Sequence, residues 1–511
     1  DSSGAPGSPP VASAGATTGV AGTPGELGTP SLVPDAPAAC AANATVQRPQ
    51  QPMRLLSEAE YTRTVAAALG VEPGAGLAAD LSGGAGIALA GIGTVSPARA
   101  LDLLNSAEGV AVAFLPSLLA EPACASPASG CAEHFLQQWG RRLFRRPLTA
   151  DETQRYHAMY DRAASAHGAE AGLRMMITAM LVAPEFLYRV ERGQGTPLPD
   201  GRVALSPYEV ATRLSYLTLG TAPDDALLAA SANGELSTPA GVANTALKLF
   251  DQAATDGTLV PFYQRWLQVG SRAELRSVFE TPEAANAAVN TFGEFVSSWM
   301  QDPNGSFLKL FTTPIPRVDI GGNLGQMNAG ILAIPAVVAS HTTNPDLAPI
   351  FRGKFALEAL LCHQIPPPPA MVAVAAPNPG VSVREKLMAH RTNPSCAGCH
   401  DMLDPAGFPF EQLDAIGRYV PDADATGTLP SVGEVRSLEE LGEKLAVSPQ
   451  AQECFAQYWL TYAFAVRGSD FDPCVRQALA SELPNSPNAA RALLTQTVQL
   501  PEFLMLVKEK L

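Results

Sequence analysis

Cys396-Ala-Gly-Cys399-His400 carries the most specific chemistry in the chain. Two thiols three residues apart lie on one turn, where each can add to a vinyl group. The imidazole that follows can then meet an iron on one face of the ring so attached. C-x-x-C-H is the spacing of covalent haem attachment, with Cys396 and Cys399 as the thioether positions and His400 as the proximal iron ligand. The cofactor this predicts is one covalent haem c. Two other readings compete. A zinc knuckle would need a second ligand pair at suitable spacing, and none is close. A thioredoxin-like dithiol would need a strand ahead of it in a βαβ setting, whereas a Pro-rich segment precedes this motif.

The second ring nitrogen of His400 needs an acceptor, which fixes the ring and tunes the metal. A backbone carbonyl near Pro405 to Pro409 is the expected one. The opposite face of the haem decides function. A second His or Met gives a six-coordinate electron carrier, and an open position permits peroxide or oxygen chemistry. The nearby candidates are His390, Met388, Met371 and His363. For His390, a helix-terminal or propionate-contacting role is the competing reading. Met402 is too close to His400 to cross the ring, and His134, His157, His167 and His341 read as structural.

Other constellations are weaker. Arg141, Arg142, Arg145 and Arg146 can bind an anion or a haem propionate, or form a solvated, salt-bridged helix end. Glu411 and Asp414 are spaced for one helix face, an arrangement that is acid/base machinery or a solvated surface. Asp422-Ala-Asp424-Ala-Thr426-Gly427 resembles the first half of a calcium loop, but Gly433 stands where the closing Glu belongs. No Ser-His-Asp set or phosphate-binding signature is present.

The elements that must position these residues read as helices. Ser57 with Glu60, Thr149 with Glu152 and Ser206 with Glu209 form capping boxes that open helices. Apolar helical runs cover Ala98 to Leu119, with a break at Pro116, and Ala169 to the Pro184 break. Another spans Ala348 to Cys362, and a helix is expected from about Leu324. Sustained strand alternation is nearly missing, so the fold class is mainly α and multi-helical. An internal echo adds to this. Phe135-x-Gln137-x-Trp139 returns as Phe455-x-Gln457-x-Trp459, and Arg174 to Leu187 returns as Arg491 to Leu504, both ending Pro-Glu-Phe-Leu. Two related helical units thus flank a cytochrome c-like haem segment. The chain divides into a flexible Gly/Pro/Ala-rich linker (1–50) and an N-terminal helical domain (51–123). A helical unit (124–200) and a central helical domain (201–312) follow. The CxxCH domain (313–430) and a C-terminal helical unit (431–511) complete it.

With 511 residues, 46% hydrophobic and 16% charged, the chain has the composition of a globular protein of several domains. A net charge of −15 argues against nucleic acid and anionic membrane surfaces as partners. No apolar run is long enough to span a bilayer. The eight cysteines leave six beyond the motif. Cys124 with Cys131 and Cys454 with Cys474 are disulfide candidates, and Cys40 with Cys362 are the two that remain. That cysteine usage fits an oxidising, exported location, periplasmic or at the outer membrane and cell surface. The opening tract resembles a tether behind a removed targeting segment, compatible with a lipid anchor.

The chain resembles large exported proteins of planctomycetes and myxobacteria that are built from several domains of unknown function and end in a CxxCH, cytochrome c-like domain. The resemblance rests on Arg54-Leu-Leu-Ser-Glu-Ala-Glu-Tyr61, Phe144-Arg-Arg-Pro-Leu-Thr149, Phe186-Leu-Tyr-Arg-Val-Glu191, Leu214-Ser-Tyr-Leu217, Pro223-Asp-Asp225 and Arg352-Gly-Lys354. It is strongest from His390-Arg391 through the motif to Asp404-Pro405, Gly407-Phe408 and Asp414-Ala-Ile-Gly-Arg418. Leu403 stands where the family usually carries Met or Ile. The resemblance implies export and c-type haem, and its shared His-Arg pair puts His390 first as distal ligand. It supplies no reaction. Three functions follow: a monohaem electron carrier with a redox partner protein, a haem peroxidase or oxidase with an open distal site, or a non-haem surface scaffold. A single haem motif favours the carrier over the catalyst.

Overall fold

In the computed structural model the described residues are 49, 51, 53–74, 95–125, 128–315, 320, 327–342, 348–366, 382–392 and 394–507. Among the described residues the fold is mainly α, with three small two-stranded antiparallel sheets. The three expected capping boxes form. Ser57, Thr149 and Ser206 each accept the backbone N–H three residues on, and Glu60, Glu152 and Glu209 bond back to the cap. Helices Glu58–Leu69, Ala150–His167 and Pro207–Thr218 start there.

Proline behaves less simply than expected. Helix Pro97–Leu119 continues through Pro116. The ring removes one hydrogen bond, to Val112, whose side chain faces water at 53% exposure, so the loss falls where solvent compensates. Pro335 does divide the apolar stretch expected to be one helix, leaving a 3₁₀ turn at Gly330–Ala333 and helix Pro335–Ser340. Helix Ala348–Phe355 runs into a π-helical turn, Ala356–Leu360.

The two echoed segments close two larger strand-paired spans, 54–189 and 202–507, so the CxxCH segment lies inside the second rather than between two flanking units. Strand β1 (Arg54–Leu55) precedes the first capped helix and pairs with β2 (Tyr188–Arg189), which follows the Pro184–Leu187 turn. Strand β3 (Arg202–Ala204) precedes the capped helix at Pro207. It pairs with β6 (Met505–Val507), which follows the Pro501–Leu504 turn. The flanking bonds repeat as well: Leu56 N–H to Leu187 O at 2.8 Å, and Leu205 N–H to Leu504 O at 2.9 Å. In each unit the residue after a buried Phe is left-handed, Arg145 in one and Ala465 in the other. Arg145, buried, donates to the carbonyls of Glu185, Phe186 and Tyr188, and Arg213 does the same for Glu502 and Phe503. Strands β4 (Gly427–Leu429) and β5 (Gly433–Val435) form a hairpin inside the second unit.

Two hydrophobic cores result. One gathers side chains from Leu55 to Leu187 with Tyr216 and Ala222, and the other those from Leu205 to Met505. Polar contacts lace the seam, among them Thr64 Oγ1 to Tyr216 OH at 2.8 Å and Arg63 Nε to Gly220 O at 3.0 Å. All four Phe–Trp pairs serve these cores rather than a cofactor. Trp266 Nε1 donates to Ala359 O, and Trp459 Nε1 to Thr497 Oγ1.

Disulfides close Cys124 to Cys131 and Cys362 to Cys454. The second replaces the expected Cys454–Cys474 staple and also removes Cys362 from any bond with Cys40. The Pro449–Phe464 helix lays Cys454 against the end of the π turn, where its sulfur also meets Ala359 O. Cys474 is disulfide-bonded, and Cys40 lies outside the described residues.

Candidate haem-attachment site

The motif lies within one helix, Pro394–Gly407. Its N-terminal half, with Cys396, Cys399 and His400, is half-buried to exposed, whereas Leu403, Asp404 and Ala406 are buried. On a helix, positions i, i+3 and i+4 share a face, which places both thiols and the imidazole together. Among the described residues Cys396 and Cys399 are the free cysteines.

His400 Nδ1 lies 2.9 Å from Oδ1 of Asp404, one turn along the same helix. A carboxylate oxygen accepts, so Nδ1–H donates. This is a correction to the expected backbone acceptor: Pro405 does not end the helix, so Asp404 stays in helical register with the ring. The i, i+4 spacing of His400 and Asp404 is visible in the sequence, whereas the burial that holds the carboxylate against the ring is not.

Two buried contacts hold the helix in place. Its C-terminal half crosses helix Ala348–Phe355 at backbone distance. Beyond it, Arg352, 3% exposed, donates to the carbonyls of Phe410 (2.8 Å), Leu413 (2.7 Å) and Asp414 (2.6 Å) and to Thr342 Oγ1. Burial pulls its guanidinium down to about 10. It remains charged at neutral pH. On the exposed side, Arg391 bonds Asp401 at 2.7 Å and ties the preceding helix, Val383–His390, to the motif.

The other candidate residues are placed as follows. His390 ends the Val383–His390 helix, and its side chain lies outside the described residues, as does Met371 entirely. Met388 is exposed, and His363 and Met402 are half-buried. The arginine run is consumed by the fold: Arg141 and Arg142 bind Asp225, Arg145 binds carbonyls, and Arg146 binds Glu152. Glu411 and Asp414 do not form a pair on one helix face. Asp414 caps a turn through the N–H groups of Ile416 and Arg418, while burial raises the carboxyl of Glu411 above the usual range. In the half calcium loop a guanidinium occupies the carbonyls: Arg384 donates to Asp424 O and Thr426 O, stacked 3.7 Å above Phe408. Among the described residues no three His, Cys, Asp or Glu side chains are grouped to hold a metal ion by themselves.

The donor set fits covalent attachment of a ring bearing two vinyl groups: Cys396 and Cys399 would supply the thioethers and His400 a nitrogen for its metal. Four family models match consecutive stretches, each described as a protein of unknown function: DUF1595 at 131–191, DUF1592 at 205–319, DUF1588 at 328–422 and DUF1585 at 433–503. No curated protein and no solved structure matches the chain. From residue 131 to residue 503 the chain is therefore similar to domains of unknown function, and together the four matches support a multidomain family of that kind.

Proposed function

We propose that the chain is an exported monohaem c-type cytochrome-like protein, in which a large helical scaffold presents a haem attached at Cys396 and Cys399. The observation that carries this reading is the three-part donor set on one helix: two free thiols and an imidazole whose Nδ1 is tied to Asp404. His400 Nε2 is the proximal ligand, and His390 is the distal candidate from sequence. A haem held there supplies a one-electron couple. The remaining residues orient it: Asp404 fixes the ring, and Arg352 and Arg391 fix the helix that carries it. The disulfides at Cys124–Cys131 and Cys362–Cys454 support an oxidising compartment, where such attachment takes place. Electron transfer to a redox partner protein, with a lipid tether at the membrane surface, is the function this arrangement serves.

A second reading, a peroxidase or oxidase, is favoured by one feature. A carboxylate behind the axial histidine strengthens its electron donation, the kind of push that assists O–O cleavage. The two readings separate in an optical spectrum. One haem per chain by pyridine haemochrome, with a reduced spectrum indifferent to carbon monoxide and cyanide, supports the carrier. Ready binding of either supports the catalyst. No Soret band from cells competent in haem attachment overturns both and leaves a non-haem surface scaffold.

A further inference from the structure

We infer that Asp404 is the positioning residue for the axial histidine and that its carboxylate holds the site at low potential. The inference rests on the haem reading above. Asp404 is fully buried, yet its Oδ1 meets His400 Nδ1 at 2.9 Å. Leu403 and Ala406 beside it pack into the core, so the carboxylate is held inside rather than swinging out to water. Two consequences follow. The ring is held through its Nδ1–H, so that Nε2 is the nitrogen that would bind iron. In surroundings of low dielectric the carboxylate also polarises Nδ1–H more strongly than a backbone carbonyl would, which makes Nε2 a stronger donor. A stronger donor stabilises oxidised iron over reduced iron and moves the midpoint potential downward. Asp401, three residues earlier, offers an internal comparison. It bears the same charge, but its side chain is 59% exposed and paired with Arg391.

The test uses the full chain, produced with a haem-attachment system, as wild type, Asp404→Asn, Asp404→Glu and Asp401→Asn. Haem is counted by pyridine haemochrome, and the midpoint is read by redox titration of the reduced α band. Asp404→Asn should hold one haem and titrate at higher potential. Asp404→Glu, which keeps the charge, should return most of the way, and Asp401→Asn should move less than Asp404→Asn. A midpoint for Asp404→Asn that coincides with wild type, or with Asp401→Asn, overturns the inference while leaving the haem reading intact. A wild type without haem removes the haem reading first and this inference with it. Should Asp404→Asn fail to fold, ferrous wild type labelled with ¹⁵N-histidine reads the same contact. A slowly exchanging, downfield His400 Nδ1–H supports it, and a ring proton resonating like that of free imidazole overturns it.

Discussion

Gly353 and Gly407 face each other where helix Ala348–Phe355 crosses the motif helix, and neither position has room for a methyl group. A Cβ on Gly353 would lie 1.9 Å from the Leu403 carbonyl oxygen, and one on Gly407 would lie 1.8 Å from that of Pro349. Both obstacles are backbone, which cannot step aside as a flexible side chain can. Gly353→Ala or Gly407→Ala should therefore force the helices apart and cost on the order of 3 kcal/mol. Urea melts read the loss directly. An alanine variant as stable as wild type would mean that the crossing is looser than described.

Replacing both Cys396 and Cys399 with alanine should abolish covalent haem while leaving the fold intact, because both side chains are only half-buried and bridge nothing. With both proteins produced without haem, stability should stay within about 0.5 kcal/mol of wild type. Haem that stays with the polypeptide on a denaturing gel of the double variant would contradict thioether attachment at these positions.

His341 lies flat on Phe355, ring centroids 4.0 Å apart, and its Nε2 sits 2.9 Å from Leu267 O. Burial pushes its pKa down from 6.5 to about 4, so the folded state holds it neutral. Between those values the unfolded chain takes up a proton that the folded chain refuses. Stability from this site is thus complete above pH 6.5 and is lost as pH falls toward 4, by about 3 kcal/mol. The difference in unfolding free energy between pH 7 and pH 4.5 should shrink in His341→Gln. An unchanged pH dependence in that variant would assign acid sensitivity to other groups.

The Cys362–Cys454 bond closes a span of 92 residues. Chain-entropy arguments give such a cross-link about 4 to 5 kcal/mol, with smaller values common in practice. Paired Cys362→Ala and Cys454→Ala substitutions should lower the denaturant midpoint well beyond the effect of opening the seven-residue Cys124–Cys131 loop. Equal losses from the two would argue against the loop-size account.

The helical class and the starts of the capped helices were legible in the sequence because capping boxes are local: Ser57 and Glu60 are three residues apart wherever the chain goes. The echo of Pro-Glu-Phe-Leu was legible as words, but not the strands it feeds, since two- and three-residue pairings leave no period to read. Cysteine counting could not choose partners. Cys454 meets Cys362 only because a helix and a π turn distant in sequence pack side by side. The role of Asp404 is hidden in the sequence for another reason. Proline at 405 disfavours helix at the residue before it, and burial together with the His400 hydrogen bond overrides that preference.

The pairing of Val203 with Leu506 sets an order on folding. The second unit closes only when its last strand arrives, some three hundred residues after its first, and the CxxCH segment lies wholly within that interval. The first unit, whose strands are nearer in sequence, has its sheet once Arg189 is available and its full core once Tyr216 and Ala222 follow. Closure of the second is a high-contact-order event and correspondingly slow. During that delay the motif helix lacks its finished surroundings, and the residues it will bury, Leu403, Asp404 and Ala406, stand open to solvent.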